Sequence, residues 1–355
     1  MNAQDQPLNA LTLCLDMAGC PNRCRHCWLG VTPNGHLTDD DLTKVAAAFR
    51  PWTQTLEIVD WYREPDYPNS YRERWQRTSE LSDVRTPHFE LMSFWRAARD
   101  PAYVPWLKSQ GVQVCQLTLF GGAGRTDQYV GRKGAFDEVM SAIEQLLDCR
   151  IAPRLQVFVN QENLADLCDI AGLVEDLELE KRCEERGLAF SLFVHQGSCD
   201  GENEALYDIR LTTADLEKIP SVLTRYTREY FGVSDLQDVF GQPEQTLYEI
   251  LINDRSTASL VTDRPVFLID KDLNVYPNLT APAPFWCLGN LNVDDAREII
   301  RTYQNHGSLA QQIRWTVPLN EMVRACGDPL SQRLFSEGDY IMYLLNRYSR
   351  NRSAR

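Results

Sequence analysis

Short apolar runs alternate with longer amphipathic stretches along residues 1–200. Six of these runs are typical of buried strands and lie at 11–17, 56–61, 89–92, 112–120, 154–159 and 188–194. Between them the pattern predicts helices, including one that follows Thr38 and ends near Phe49 and another over 136–147. Strands that alternate with helices predict an α/β fold with a parallel sheet, here a partly open (βα)6 barrel.

The pattern changes after the sixth predicted strand. Residues 201–264 are polar with helical periodicity, and helices are predicted over 213–231 and 244–253. A hairpin is predicted over 265–277, turning through Asp270 to Asn274, and a helix then runs to about Asn305. The sequence therefore predicts an α/β domain at 1–200, a helical connector at 201–264 and a small α+β extension at 265–355.

Composition and charge narrow the class of protein. The chain has 355 residues, of which 43% are hydrophobic, enough for a substantial core. We find no secretory signal pattern, and the run at 11–17 is too short to span a bilayer, so we expect a cytoplasmic protein without a membrane partner. A net charge of −14 argues against nucleic acid as a partner, because phosphate binding relies on basic surfaces.

Three cysteines follow the first predicted strand and carry the clearest chemistry. Cys20, Cys24 and Cys27 have the spacing Cys-x3-Cys-x2-Cys. Thiolates favour zinc or an iron–sulfur cluster, but a structural zinc site usually has four ligands, and the chain has no second cysteine knuckle. Three cysteines would bind three irons of a [4Fe–4S] cluster and leave the fourth iron open. A three-ligand zinc site or a chance grouping remains the alternative.

The stretch Cys20-Pro-Asn-Arg-Cys24-Arg-His26-Cys27 resembles the cysteine motif of the radical S-adenosylmethionine (radical SAM) superfamily, with His26 as the aromatic residue before the third cysteine. The resemblance implies a [4Fe–4S] cluster and SAM as cofactors, with the SAM amino and carboxylate groups on the open iron. It also implies an electron donor of the flavodoxin or ferredoxin type. Reductive cleavage of SAM would then give methionine and a 5′-deoxyadenosyl radical that abstracts hydrogen from a substrate.

Other parts of the chain resemble the SAM contacts of the superfamily. The second predicted strand is followed by Glu64-Pro65, as in the family motif Gly-Gly-Glu-Pro, although Tyr62 and Arg63 replace the glycines. The resemblance implies that Glu64 meets the SAM amine; a solvated turn carboxylate is the alternative.

The fourth predicted strand and the loop after it are similar to the SPASM/twitch branch of the superfamily. Thr118 occupies the position of a hydroxyl that binds the SAM carboxylate, and Gly121 and Gly122 follow the strand. The family places an arginine where this chain has Val130, so the resemblance implies that Arg132 substitutes from two residues further on.

Two more polar residues end predicted strands. The resemblance implies that Asn160 meets the ribose of SAM, with turn capping as the alternative. His195 ends the sixth predicted strand, where it could face substrate or act as an acid or base, with a structural histidine as the alternative. All these residues follow strand carboxyl ends, where α/β folds place their sites.

The predicted hairpin and the Leu288-Gly289 step resemble the twitch or SPASM extension of radical SAM enzymes. In the family a cysteine follows the Tyr-Pro step, whereas this chain has Asn278. Only Cys287 and Cys326 lie further along, too few for the four thiolates of an auxiliary cluster. We therefore expect a partial (βα)6 TIM barrel with a twitch-like extension that binds no cluster.

The resemblance implies a radical SAM enzyme but leaves its substrate open. The branch acts on ribosomal peptides or on sugar-like and aminocyclitol intermediates of natural products. We expect a small molecule of the second kind, because no separate peptide-recognition domain precedes the barrel. A peptide maturase that performs epimerisation or cross-linking is one alternative, and a non-catalytic iron–sulfur or SAM-binding sensor is another.

Overall fold

The computed structural model describes residues 7–29, 35–60, 63–64, 66–84, 87–258, 265–277 and 282–354. Within these ranges the strands are β1 Leu11–Leu15, β2 Leu56–Val59, β3 Val114–Leu119, β4 Ala152–Phe158, β5 Ser191–His195, β6 Gln242–Pro243, β7 Val266–Ile269, β8 Asn274–Pro277, β9 Gly289–Asn290 and β10 Leu334–Phe335.

The α-helices of the same ranges are α1 Asp39–Phe49, α2 Tyr71–Leu81, α3 Phe94–Ala97, α4 Tyr103–Ser109, α5 Ala123–Val130, α6 Ala135–Asp148, α7 Leu167–Asp176, α8 Leu179–Glu184, α9 Thr213–Leu216, α10 Ser221–Phe231, α11 Gln237–Phe240, α12 Glu244–Leu251, α13 Ala296–Gln304, α14 Leu309–Thr316, α15 Leu319–Cys326 and α16 Glu337–Ser353. Short 3₁₀ segments lie at Arg50–Trp52, Leu164–Asp166, Gly201–Ile209 and Pro284–Trp286. No helix in the described ranges is both long enough and apolar enough to cross a membrane.

The described strands form three sheets. One has the order β2-β1-β7-β8-β9, with β1 parallel to both β2 and β7 and an antiparallel β7–β8 hairpin. A second consists of the parallel strands β3-β4-β5, and a small third sheet pairs β6 with β10. The α/β class predicted from the sequence is confirmed. The hairpin is also confirmed, with its turn between Ile269 and Asn274.

Alternation along β3, β4 and β5 gives their sheet one apolar and one polar face. Leu117, Leu155 and Leu192 lie in the core that is shared with the surrounding helices. The opposite face carries Gln116 and Arg154, and Arg154 Nε donates to Gln116 Oε1 at 3.1 Å. This polar face leaves room for a site at the carboxyl ends of the strands.

The partial, partly open (βα)6 barrel predicted from the sequence is not confirmed. The predicted strand at 89–92 forms a single bridge, between Leu91 and Gln116. The outer edge of β2 is bonded by side chains instead of a strand: Leu56 N donates to Asp83 Oδ2 at 2.7 Å, and Ile58 N donates to Ser82 Oγ at 2.9 Å. These side chains take up edge donors of β2, and the parallel pair β1–β2 lies in a different sheet from the parallel strands β3, β4 and β5.

Two other predicted elements differ in detail. The single helix predicted over 213–231 is divided into α9 and α10, because Pro220 lies between them and cannot continue a helix. The predicted extension starts with β7, which pairs in register with β1, as Leu13 with Phe267. The extension therefore shares a sheet with the first strand of the chain, while the predicted domain boundaries stay predictions.

Candidate functional site

The three cysteines of the motif lie on the loop that follows β1, hereafter the cysteine loop, residues 16–29. Cys20, Cys24 and Cys27 are reduced thiols and are partly exposed. The Cys27 N–H donates to the Cys24 carbonyl at 3.1 Å, which closes a tight turn. Burial raises the pKa of the Cys20 and Cys24 thiols, and the neighbouring Cys27 and Glu64 raise it further. Without a cation beside them these thiols stay protonated, so metal binding would release protons.

The cysteine loop is held against the end of α5. The Arg23 N–H donates to the Val130 carbonyl at 2.8 Å, and the Arg25 N–H donates to the Tyr129 carbonyl at 2.9 Å. Gly131 then follows with φ +72°, and a Cβ there would lie 2.9 Å from the Cβ of Arg23. The loop thus approaches the backbone so closely that only glycine fits at this position.

Arg132 also holds the cysteine loop. Its Nε donates to Asn22 Oδ1 at 3.1 Å, and its two terminal nitrogens bond the Glu138 carboxylate. These contacts use the donors that the resemblance assigned to the SAM carboxylate. The SAM contact of Arg132 stays a prediction, whereas its contact with the loop is observed.

Glu64 lies beside the cysteine loop, and its N–H donates to the Gly19 carbonyl at 3.2 Å. Its Oε1 is buried and has no hydrogen-bond partner among the described residues. Burial raises the pKa of this carboxyl to about 7, and a hydrogen bond with Ser93 acts in the opposite direction. Of the residues that replace the family glycines, Arg63 pairs with buried Asp16 at 3.0 Å, and Tyr62 lies outside the described residues.

The segment that follows Glu64 is fixed by buried groups that sequence reasoning missed. Arg96 Nε donates to the Asp66 carbonyl at 3.1 Å, and its other two nitrogens bond further groups of the same segment. The Asp66 carboxylate accepts hydrogen bonds from Tyr103 Oη and from His88 Nε2, the latter at 3.1 Å. No local motif links these residues, since they come together only through the fold.

Asn160 is buried, and both ends of its side-chain amide are already bonded. Its Nδ2 donates to Tyr129 Oη at 2.8 Å, and its Oδ1 accepts from the N–H groups of Glu162 and Asn163 at 2.9 and 3.3 Å. Glu162 in turn pairs with Arg25 of the cysteine loop at 2.9 Å. This is the turn-capping arrangement that the sequence left as an alternative, and the ribose contact stays a prediction.

Thr118 and the glycine pair lie at the end of β3. Thr118 Oγ1 is 3.4 Å from Gln156 Oε1, on the polar face of the sheet. Gly121 has φ +146°, and a Cβ there would lie 2.9 Å from the Cβ atoms of Arg125 and Asp166. Gly122 is the N-cap residue of α5. Arg125 and Asp166 therefore pack so closely against the backbone of Gly121 that a side chain has no room there.

His26 lies between two phenylalanine rings, 4.7 Å from the ring centre of Phe120 and 4.9 Å from that of Phe158. Its Nδ1 is buried without a hydrogen-bond partner in the described part of the chain. Burial lowers the pKa of His26 to about 4, and the nearby His195 lowers it further. Burial also lowers the pKa of His195, at the end of β5. Both imidazoles are therefore neutral near pH 7, so His195 can accept a proton but does not supply a fixed positive charge.

The structure thus places the three cysteines, Glu64 and His26 around one loop and His195 nearby. Within the described ranges, no group of three or more His, Cys, Asp or Glu side chains is arranged to hold a single metal ion. A [4Fe–4S] cluster bonds each cysteine through a different iron, so its ligands stand farther apart than those of one ion. The unpartnered Glu64 oxygen beside the thiols also leaves an acceptor for a further ligand, and the residues fit a cluster better than zinc.

Cys287 and Cys326, the two cysteines that follow the β7–β8 hairpin in the sequence, lie outside the cysteine loop. Cys287 is partly exposed, and its Sγ donates to the Gly289 carbonyl at 3.4 Å. Cys326 is buried, and Asn351 Nδ2 lies 3.8 Å from its Sγ. Asn278 lies outside the described residues, so the expected loss of an auxiliary cluster stays a prediction.

No protein-family model and no curated protein matches this chain. Its structure is similar to solved structures of anSMEcpe. Native anSMEcpe with bound AdoMet is 15% identical with a TM-score of 0.53, and the match covers 98% of this chain and 98% of that chain. Native anSMEcpe with bound AdoMet and Cp18Cys peptide is 14% identical with a TM-score of 0.52, covering 98% and 97%. The chain therefore shares its fold with a protein that binds AdoMet, which is SAM.

Proposed function

We propose that this chain is a radical SAM enzyme that modifies a peptide. The observation that carries the proposal is the cysteine loop, which places three thiols beside the unpartnered Oε1 of Glu64. It does so within a fold shared with an AdoMet-bound protein. A chance grouping of three cysteines would explain neither the buried acceptor nor the close approach of the loop to Gly131.

The residues present would hold the two cofactors as follows. Cys20, Cys24 and Cys27 would bind three irons of a [4Fe–4S] cluster, and Glu64 Oε1 would accept a hydrogen bond from the SAM amine. Thr118 and the backbone at Gly121 would receive the SAM carboxylate. When bound, the cluster supplies the electron that cleaves the SAM sulfonium to methionine and a 5′-deoxyadenosyl radical.

The chain's own residues prepare this chemistry. The rings of Phe120 and Phe158 pack against His26 and hold this residue of the cysteine loop in place. Gly131 and Arg132 fix the position of the loop, so its thiols are held in place before a metal binds. His195, neutral near pH 7, could receive a proton from a substrate bound at the end of β5.

A peptide is favoured over the small natural-product-type molecule expected from the sequence. One solved structure with this fold contains a bound Cp18Cys peptide, which supports the maturase alternative. The small-molecule expectation rested on the lack of a peptide-recognition domain before the barrel, whereas the peptide-bound structure is matched over 98% of this chain and 97% of its own length. That protein therefore takes a peptide on an architecture that this chain shares.

The proposal includes a partial TIM barrel with a twitch-like extension that binds no cluster. The parallel strands β1–β2 and β3–β5, with a bridge from Leu91 to Gln116, support the barrel. The β7–β8 hairpin supports the extension. An electron donor of the flavodoxin or ferredoxin type and a reducing, cytoplasmic setting belong to the same proposal, because the thiols must stay reduced.

The test is SAM cleavage under anaerobic conditions. Reconstituted protein is reduced with dithionite, incubated with SAM and analysed by mass spectrometry for 5′-deoxyadenosine. We expect product and about four irons per chain, as one cluster requires. Cys24→Ala should abolish both, whereas Cys168→Ala, at an exposed cysteine of α7, should change neither. Full iron content in Cys24→Ala would contradict the cluster assignment.

A second arm tests the substrate class. Candidate peptides, including any encoded beside the gene of this chain, are added to the same reaction and examined for a mass change. A peptide that accelerates 5′-deoxyadenosine formation and is itself modified would support a maturase. SAM cleavage that responds only to amino sugars or aminocyclitols would replace the peptide reading with the small-molecule one, and a cluster that binds SAM without ever cleaving it would favour a sensor.

A further inference from the structure

A cavity of about 410 Å³ lies next to the cysteine loop and is not used by the SAM contacts proposed above. Its walls come from the cysteine loop, the β7–β8 hairpin, the 3₁₀ segment Gly201–Ile209 and α16. Leu29 lines it, two residues after the last cysteine of the motif. The Glu202 N–H donates to the Cys27 carbonyl at 2.8 Å, so one wall is bonded directly to the cysteine loop. A molecule in this cavity would lie beside the proposed cluster site.

Asp200 is a buried carboxylate in the cavity wall. It is 8% exposed, and it accepts one hydrogen bond, to Oδ1, from Asn346 Nδ2 at 2.6 Å. Its other carboxyl oxygen receives no hydrogen bond from the described residues. Asn346 Oδ1 accepts from Trp286 Nε1 at 2.7 Å, and an indole can only donate, so the amide must present its NH₂ group to Asp200. The carboxylate is thus held in one orientation with an unused acceptor.

The two arginines in the wall already have carboxylate partners. Arg350 forms two bonds of 2.6 Å with Glu204, and Arg63 pairs with Asp16 at 3.0 Å. Among the described residues, neither Asp200 nor Glu202 forms an ion pair; the cation that acts on Asp200 is buried Arg210, whose charge lowers the pKa of this carboxyl less than burial raises it. Two unpaired carboxylates in one cavity produce a negative potential that would repel an anion and attract a cation.

The remaining wall limits the kind of cation. Leu29 and Phe285 supply apolar surface, and Tyr276 donates its hydroxyl to Asp270 at 3.1 Å. A strongly hydrated metal ion needs several oxygen ligands at short range, whereas no such ligand group is arranged here among the described residues. An ammonium group on an aliphatic stem matches both the carboxylates and the apolar surface.

We propose that this cavity binds a protonated amine of the substrate, with Asp200 as its counter-ion. The inference rests on the proposed function, because it assigns to this cavity a part of the molecule on which the enzyme acts. The amine can be the side chain of a lysine in a peptide or the amino group of a sugar-like molecule. Either source presents an ammonium group to Asp200, and it would place the methylene stem of lysine or the C–H face of the sugar ring against Leu29 and Phe285.

Binding to the reconstituted full-length protein, with SAM present, tests the proposal by isothermal titration calorimetry. The probe is a blocked pentapeptide, acetyl-Gly-Gly-Lys-Gly-Gly-amide, and its control is the same peptide with an acetylated lysine side chain. We expect the lysine peptide to bind at least tenfold more tightly than the acetylated one, because acetylation removes the charge. Glucosamine and N-acetylglucosamine form the second pair, and the pair with the larger discrimination identifies the source of the amine.

Three variants assign the effect to the cavity. Asp200→Asn keeps the shape of the side chain and should reduce binding of the charged probe at least tenfold. Glu202→Gln, at a more exposed position, should reduce it by a few-fold and guards against a folding defect in the first variant. Glu249→Gln removes the same charge from an exposed position on α12 and should leave binding unchanged.

The outcomes separate this inference from the proposed function. Equal binding of charged and acetylated probes, no binding of either pair, or full binding by folded Asp200→Asn would overturn the amine site, even if SAM is cleaved. Amine binding that depends on Asp200 in a protein that never cleaves SAM would support the site and leave the proposed function without support.

Discussion

Gly131 meets the cysteine loop at a distance that leaves no room for a side chain. We expect Gly131→Ala to lower the iron content after reconstitution to less than half of the wild-type value, because a Cβ at 2.9 Å from Arg23 would displace the loop. The φ of +72° adds about 1 kcal/mol of backbone strain. Iron per chain and the denaturant midpoint of the metal-free protein measure the two effects.

Gly134→Ala is the matched control for that prediction. Gly134 has φ +80°, and a Cβ added there would have nothing within 4 Å, so alanine carries similar strain without touching the loop. It should lose about 1 kcal/mol of stability and keep its iron. An equal loss of iron in both variants would mean that backbone strain causes the loss, and that the close contact with Arg23 does not.

Ionisation of the buried Asp200 carboxyl lowers the free energy of unfolding, and an asparagine at this position would remove that pH-dependent cost. Burial raises the pKa of its carboxyl from 3.8 to about 6. Between these values the unfolded chain ionises while the folded protein keeps the proton, so stability falls as the pH rises, by roughly 3 kcal/mol once the pH is above 6. Asp200→Asn should therefore be more stable than the wild type at pH 7 but not at pH 4.

Urea unfolding of the metal-free protein at the two pH values measures this difference. Glu249→Gln, an exposed change of the same kind, should show no such dependence on pH. If Asp200→Asn and the wild type differ in stability by the same amount at pH 4 and at pH 7, ionisation of Asp200 does not destabilise the folded protein, and the prediction is wrong.

The sequence pattern could predict which site residues come together only where those residues are close in sequence or follow neighbouring strands. The three cysteines and His26 lie within eight residues, and Glu64 follows a predicted strand at its carboxyl end, so their meeting follows from topology. Asp200 and Asn346 are 146 residues apart, and no periodicity marks their contact. The donors of Arg132 could not be assigned either, because its partner Glu138 comes close only once α6 has formed.

At the scale of elements, the segment after β2 depends on α3. Arg96 of α3 bonds the Asp66 carbonyl and two further groups of the segment that carries Glu64. Removing its donors would leave buried acceptors unpaired, each at about 1–3 kcal/mol. We expect Arg96→Met to weaken SAM binding at least tenfold, because Glu64 would no longer be held beside the cysteine loop.

Calorimetric titration of the reconstituted protein with SAM measures this effect. Arg77→Met, at an arginine of α2 that pairs with nearby Glu80 on the surface, should keep the wild-type affinity. Unchanged SAM affinity in a folded, iron-loaded Arg96→Met protein would show that Glu64 is positioned by other contacts.

Whether a segment forms a helix or a strand was easier to predict from the sequence than which strands pair with each other. The helix at Asp39–Phe49 and the hairpin of β7 and β8 agree with the pattern, because capping residues and turn residues act locally. The strand predicted at 89–92 forms only the bridge of Leu91 with Gln116, and the outer edge of β2 is bonded by Ser82 and Asp83. Such pairing is decided by side chains that reach an edge, which an apolar pattern does not reveal.

At the scale of the whole molecule, β7 connects distant parts of the sequence, because residues 266–269 pair with β1 near the start of the chain. Pairing in parallel with β1, it completes a core that includes Leu13 of β1, Phe267 of β7 and Ile299 of α13. A fragment of residues 1–264 would expose one edge of β1 and the apolar side chains of that core. We therefore expect this fragment to lack the cooperative unfolding of the full chain, although it contains all three cysteines of the motif.

Near-ultraviolet circular dichroism during urea unfolding tests this expectation. The full chain should show one sharp transition, and the fragment a shallow one with weak aromatic signals, since its core is incomplete. Adding residues 265–355 as a separate polypeptide should restore part of the signal, because it returns β7 and the other core residues that the fragment lacks. A fragment that unfolds cooperatively on its own would instead show that the boundary predicted at 264 separates independent domains, and that β1 is stable with β2 as its single strand neighbour.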